Sequence, residues 1–176
     1  MAAFQREIQV RFGACDPATF VYYPRYFEMI NGFVEDWFED GLEASFPGLL
    51  YHKGILAPTV HFTIDFPRPS RFGDRLTFNL EVLKIGRTSC TLKIRASCQG
   101  ENRVVATQVL VFMEQSKRGA VAIPTDVAKR MRHFIETSAA PVLAVAPRAS
   151  KPRPASKSLP ASKPRRALKR RTSASE

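Results

Sequence analysis

No apolar run in this chain is long enough to cross a bilayer as a helix. Met1 to Arg6 lacks the apolar core of a secretory signal, so the sequence predicts a cytoplasmic protein. Cysteine is scarce. Cys15, Cys90 and Cys98 are odd in number and carry no metal-ligand spacing, which points to reduced, structural thiols. His, Cys and carboxylates form no cluster that would hold a metal, and no internal repeat is visible. Net acidity is absent too, but the charge of +11 is not a property of the whole chain. Of 27 basic residues, 10 fall in 138–176 against a single acid, so that segment carries +9 and the rest only +2.

What is present divides at the same place. Met1 to Thr137 is long enough for one domain with a real core. From Ser138 to Glu176, Ala, Pro, Ser, Lys and Arg dominate, a composition that cannot bury enough surface to offset its ordering entropy. That tail is expected to be disordered. Its Ser-Lys-Pro triplets at 150–152 and 162–164 and its Arg165-to-Arg171 cluster suit non-specific binding of a polyanion through phosphate contacts. It has no aromatic residue on which bases could stack. A solubilising appendage without a partner is the plainer alternative.

The domain is organised around Phe12 to Phe38. Phe4 to Phe12 alternates as a strand, with Phe4, Arg6, Ile8, Val10 and Phe12 on one side. A loop carrying one acid, Asp16, follows. Pro24 then suits the first turn of a helix, where its missing N–H has no helical partner anyway. Phe27, Ile30, Val34 and Trp37 recur at helical spacing, flanked by Tyr26, Met29, Phe33 and Phe38. Such an apolar helix needs cover on most sides, which a sheet wrapped around it supplies. Gly41 stands where a C-terminal cap belongs, and Leu42 to Gly54 reads as an irregular connection with a Pro47-Gly48 turn.

Four further strands are predicted. In Pro58 to Phe66, Val60, Phe62, Ile64 and Phe66 share one face, with Thr59, His61, Thr63 and Asp65 on the other. Arg75 to Ile85 turns Leu76, Phe78, Leu80 and Val82 inward, and Thr88 to Cys98 does so with Cys90, Leu92, Ile94 and Ala96. Val104 to Met113 is apolar on both faces and should lie centrally. A short helix, Thr125 to Glu136, N-capped by Thr125, closes the domain. The expected class is α+β, a curved antiparallel sheet of about five strands around one long helix.

The run Phe12-Gly13-Ala14-Cys15-Asp16-Pro17-Ala18-Thr19-Phe20-Val21-Tyr22-Tyr23-Pro24-Arg25-Tyr26-Phe27 resembles the active-site segment of 4-hydroxybenzoyl-CoA thioesterase-like hot-dog proteins. The likeness continues through Gly54 to Val60 and the Phe66-to-Asp74 turn, and covers Phe4 to Glu136. It implies a hot-dog fold, hydrolysis of an acyl- or aroyl-CoA thioester, and a homo-oligomer (dimer or dimer of dimers) with sites at subunit interfaces. Coenzyme A is then part of the substrate and no cofactor is needed. Asp16 matches the family's catalytic carboxylate, as nucleophile or general base, and Tyr23 the position whose backbone N–H polarises the carbonyl. Thr19 stands where the family has glycine, Phe20 where it has isoleucine, and Ala14 where an acid is common.

The chemistry agrees with that assignment. Hydrolysis needs an acceptor aimed at the carbonyl carbon or at a water, and donors where oxygen gains charge. Asp16 and a helix start near Tyr23 supply both. Candidate substrate-binding residues are Pro17, Thr19, Tyr22, Thr59 and His61. Candidate contacts to the coenzyme A phosphates are Lys84, Arg87 and Ser89 at one turn, and Lys117 and Arg118 at another. Each has a plainer reading: Asp16 as a turn aspartate before proline, the tyrosines as core aromatics, His61 as an ordinary hydrogen-bonded histidine, the basic turns as solvated charge. Two other functions stay open. One is a module that binds acyl-CoA or an acyl carrier without cleaving it, tethered to a polyanion by its tail. The other is a hot-dog dehydratase, which would want a histidine that the Asp16 loop lacks.

Overall fold

β1 (Phe4–Gln9) pairs antiparallel with β4 (Arg75–Ile85), β4 with β5 (Ser89–Cys98), and β5 with β6 (Glu101–Val111). β6 in turn pairs with β3 (Thr59–Asp65), giving a five-stranded sheet in the order β1-β4-β5-β6-β3. This computed structural model describes residues 3–135. The basic tail, with its expected disorder and the boundary after Thr137, lies outside the described residues.

The long helix α1 (Pro24–Asp36) buries Tyr26, Ile30, Phe33 and Val34 in one core with Leu76, Phe78, Leu80, Leu92, Ile94 and Leu110 of the sheet. The Phe33 ring lies 5.3 Å from Phe78 and 5.6 Å from Phe4, which ties the helix to β4 and β1. Each such fully buried aromatic contributes roughly 1.5–3 kcal/mol by leaving water. This is the sheet-wrapped helix of the hot-dog fold.

Four local expectations are corrected. The segment after α1 continues as a π turn, Trp37–Gly41, and the Leu42 N–H reaches the Trp37 carbonyl at 2.9 Å. Gly41 is therefore no left-handed cap. A Cβ there would sit 2.7 Å from Trp37 Cδ1, so the missing side chain makes room for the indole. Leu42 to Gly54 is not irregular but contains α2 (Phe46–Lys53). Ser45 caps it by accepting from the Gly48 N–H, Pro47 sits in its first turn, and Gly54 ends it at φ 63°. The proline that resembled a turn signal is a helix-start residue. The helix α3 (Thr125–Met131) is preceded by Pro124 rather than capped by Thr125, and passes into a 3₁₀ turn at Arg132–Phe134. Finally, Phe12 does not point inward with Val10. It opens a 3₁₀ turn, Phe12–Ala14, and is 80% exposed. A small two-stranded pair, β2 (Ile55–Leu56) with β7 (Met113–Glu114), completes the fold.

Candidate active site

The Asp16 loop is a small hairpin sewn to its surroundings. Cys15 stands opposite Val21, the Tyr22 N–H donates to the Ala14 carbonyl at 2.9 Å, and the Asp16 N–H to the Phe20 carbonyl at 2.9 Å. Its outer limb is anchored on the turn before β4. Val21 N–H donates to the Ser70 carbonyl at 2.9 Å, Phe20 bridges to Arg71, and the Arg71 guanidinium lies 5.1 Å over the Phe20 ring. The hairpin carries the chain directly into α1.

Within the loop, Asp16 Oδ1 accepts the Ala18 N–H at 2.9 Å and the Asp16 carbonyl accepts the Thr19 N–H at 2.9 Å. Asp16 is thus a turn-forming aspartate, and Oδ2 is left without a hydrogen-bond partner among the described residues. Thr19 adopts φ 68°. It takes the left-handed conformation that glycine favours. Asp16, Pro17 and Thr19 line one groove of about 460 Å³ with Cys15 and the rings of Phe12 and Phe72. Those rings meet edge to face at 6.1 Å, which explains why Phe12 leaves the core.

At the helix start Tyr23 is the N-cap and Pro24 occupies the first turn. The Tyr23 N–H has no acceptor among the described residues. It sits at the positive end of α1, where an added anion is favoured. Tyr22 and Tyr23 are exposed, their rings 5.4 Å apart, whereas Tyr26 is a core residue. Burial pushes the Tyr26 phenol up, offset in part by the adjacent Ser70.

Thr59 and His61 are separated by a bulge. Thr59 pairs with Leu110 and His61 with Val109, so Val60 has no partner across the ladder. Paired residues share a face. The bulge therefore puts Thr59 on the side of Phe62 and the buried Leu110, and removes Val60 from it, correcting the uninterrupted alternation expected. Val60 is 60% exposed and His61 lies exposed on the outer face. The Thr59 hydroxyl accepts a 2.7 Å hydrogen bond from Gln108 Nε2.

Lys84 and Arg87 line a cleft of about 440 Å³ with Gly86, Ile123 and Arg132. Ser89 accepts the Gly86 N–H through its carbonyl at 2.8 Å and shapes that turn rather than lining the cleft. Lys117 and Arg118 stand apart, on the turn after β7, where Lys117 approaches Glu114 at 3.5 Å and Arg118 takes φ 51°. The structure thus brings Asp16, Pro17 and Thr19 together, and Lys84 with Arg87, in two places that share no lining residue.

Two residues passed over in the sequence stand beside the candidates. Arg132 adds a third cation to the Lys84 cleft. Gln108 is a polar residue at a core position between Ala106 and Leu110, a break in the alternation that could have flagged it.

Among the described residues no group of three His, Cys, Asp or Glu gathers as a metal site would, and no helix is long and apolar enough to cross a membrane. The model of the Thioesterase-like superfamily matches residues 10–131. A 1,4-dihydroxy-2-naphthoyl-CoA hydrolase of Synechococcus elongatus is 25% identical over 79% of this chain and 99% of its own. The solved 1,4-dihydroxy-2-naphthoyl-CoA thioesterase of Synechocystis superposes with a TM-score of 0.69 at 23% identity, over 74% of this chain and 96% of that one. A solved gentisyl-coenzyme A thioesterase does so with a TM-score of 0.65 at 22% identity, over 73% and 99%. With the family's model spanning the Asp16 loop, α1, strands β3 to β6 and α3, the chain belongs to the Thioesterase-like superfamily and is a thioester hydrolase of the hot-dog fold.

Proposed function

We propose that this protein hydrolyses an aromatic acyl-CoA, and that Asp16 and the start of α1 carry the chemistry. The observation behind this is the state of Asp16. One carboxylate oxygen is held by the Ala18 N–H while the other is open, in a groove walled by Phe12 and Phe72. Oδ2 either attacks the thioester carbon, to be released later by water, or removes a proton from a water that attacks instead. In both cases the C–S bond breaks, the thiolate of coenzyme A takes up a proton, and the acyl group leaves as a carboxylic acid. The Tyr23 N–H and the α1 dipole stabilise the charge that builds on the carbonyl oxygen. These groups suffice without a cofactor.

Pro17, Thr19 and Tyr22 border the reacting end of the substrate, and Thr59 with Phe62 and Phe27 the acyl group. The rings of Phe27 and Phe62, 5.2 Å apart, suit an aromatic acyl group, as do relatives named for naphthoyl and gentisyl thioesters. Lys84 and Arg87, with Arg132, suit the coenzyme A phosphates, and Lys117 and Arg118 are a second, more exposed contact. His61 faces outward from the edge strand β3. That free edge, the exposed Val60 and the half-exposed Phe27 and Phe66 support a homo-oligomer in which a second copy completes the site. The three free thiols fit a cytoplasmic setting. The binding-module alternative drew on Thr19, and the intact loop hydrogen bonds around it favour the hydrolase.

The test is thiol release from aromatic, short and long acyl-CoAs, with Asp16→Asn beside the wild type. Wild type should cleave aromatic thioesters best, and Asp16→Asn should lose about a hundredfold or more. Full turnover by the variant refutes the role of Asp16.

A further inference from the structure

Gln108 is the most deeply buried polar side chain on the helix-facing side of β6, at 3% exposure. Its Nε2 donates to Thr59 Oγ1 at 2.7 Å, yet its Oε1 is shielded from solvent and has no partner among the described residues. A buried carbonyl oxygen is costly to leave open, so native structures seldom do so without a use. The neighbourhood shows what the use is. Phe62 is the cross-strand partner of Gln108, and its ring lies 5.2 Å from Phe27. Phe27 is one helical turn after Tyr23 and 40% exposed. A continuous line therefore runs from the helix start, where the thioester carbonyl is held, past two aromatic walls to the carboxamide. Thr59, at the end of that line, is exposed.

We infer that Gln108 and Thr59 form a polar reader for a hydroxyl on the aromatic acyl group, resting on the hydrolase reading above. The Gln108 bond occupies a lone pair of the Thr59 oxygen and leaves the Thr59 proton to be donated outward. A ring hydroxyl arriving there accepts that proton and, as the carboxamide turns toward the opening, donates its own to Gln108 Oε1. It thus fills both valences that the protein leaves open, between walls that are otherwise apolar. Thr59 touches the acyl group, and Gln108 both orients Thr59 and closes the bond. The β-bulge at Val60 is what makes this possible, because without it Thr59 would lie on the outer face with His61.

The experiment compares 2-, 3- and 4-hydroxybenzoyl-CoA with benzoyl-CoA, for wild type, Gln108→Met, Thr59→Val and the double variant. Wild type should prefer one hydroxybenzoyl thioester. Each single variant should cut that preference about tenfold, chiefly through KM, and the double variant no further. Thr59 is exposed, so its variant reads the proposal even if Gln108→Met folds poorly. A role confined to holding β3 against β6 would lower both classes of substrate alike. That result, or no preference in wild type, overturns the inference. The same preference is read as Kd by calorimetry on Asp16→Asn. Hydroxyl-selective binding without hydrolysis by wild type would sink the hydrolase reading and uphold the reader, whereas hydrolysis without selectivity would do the reverse.

Discussion

Thr19→Gly is expected to stabilise the protein. Four non-glycine residues have positive φ among those described, namely Thr19, Glu43, Gln99 and Arg118, and only Thr19 is β-branched. At φ 68° its Cβ crowds the following carbonyl, at about 1–2 kcal/mol. The side chain offsets little of this. It is exposed and makes no hydrogen bond among the described residues, and the bond that holds the turn comes from its backbone N–H to Asp16. Glycine removes the strain but gives the unfolded chain more freedom, which costs about 0.5–1 kcal/mol. The net gain should be about 0.5–1 kcal/mol, a rise of a few degrees in Tm for a domain of this size. Urea unfolding of wild type, Thr19→Gly and Thr19→Val gives the free energies. Valine keeps the branched Cβ and should gain nothing. A glycine variant less stable than wild type by about 1 kcal/mol or more would show that the threonine side chain holds the Asp16 loop, and the strain argument would fail.

Gly41→Ala should destabilise by about 1–3 kcal/mol, because the new Cβ would meet Trp37 Cδ1 at 2.7 Å and Phe134 Cζ at 3.3 Å, inside a packed core; the shift in urea midpoint measures it. Burial pushes the Cys90 thiol up to about 12, so at pH 8 it should resist a thiol reagent that titrates the half-buried Cys15, and react only on unfolding. Cys90 ionises near 9.0 in the open chain, and the fold has the full benefit of its neutral thiol below that pH. The benefit falls away as pH rises toward about 12, so Cys90→Ala should flatten the alkaline limb of the stability curve.

For the chemistry proposed above, fold and function meet in two neighbouring pieces of backbone. The hairpin at Cys15–Val21 is held to the Ser70 turn and feeds α1, so the carboxylate and the helix start are positioned by the same hydrogen bonds. The core beneath, with Tyr26 and Phe33 against the sheet, gives that helix a rigid seat. On the reading proposed above, the groove beside Asp16 and the free edge of β3 are where a second copy would close the acyl site.

Much of this was legible in the chain itself. The alternation of Leu76, Phe78, Leu80 and Val82, and of Cys90, Leu92, Ile94 and Ala96, names the buried faces of β4 and β5, because side-chain direction in a regular strand depends only on parity. Pro24 and the spacing of Ile30, Val34 and Trp37 announce the helix, and the run around Asp16 its family, since turn and helix-start chemistry is local. What the sequence could not supply depends on contacts between distant residues. Phe12 turns outward because Phe72 awaits it, and Gly41 is bare because an indole needs its space. A single unpaired residue, Val60, shifts the parity of β3 and brings Thr59 to a glutamine 49 residues away. Parity can be counted along a strand only until a bulge resets it, and where the bulge falls is set by the ladder to the neighbouring strand.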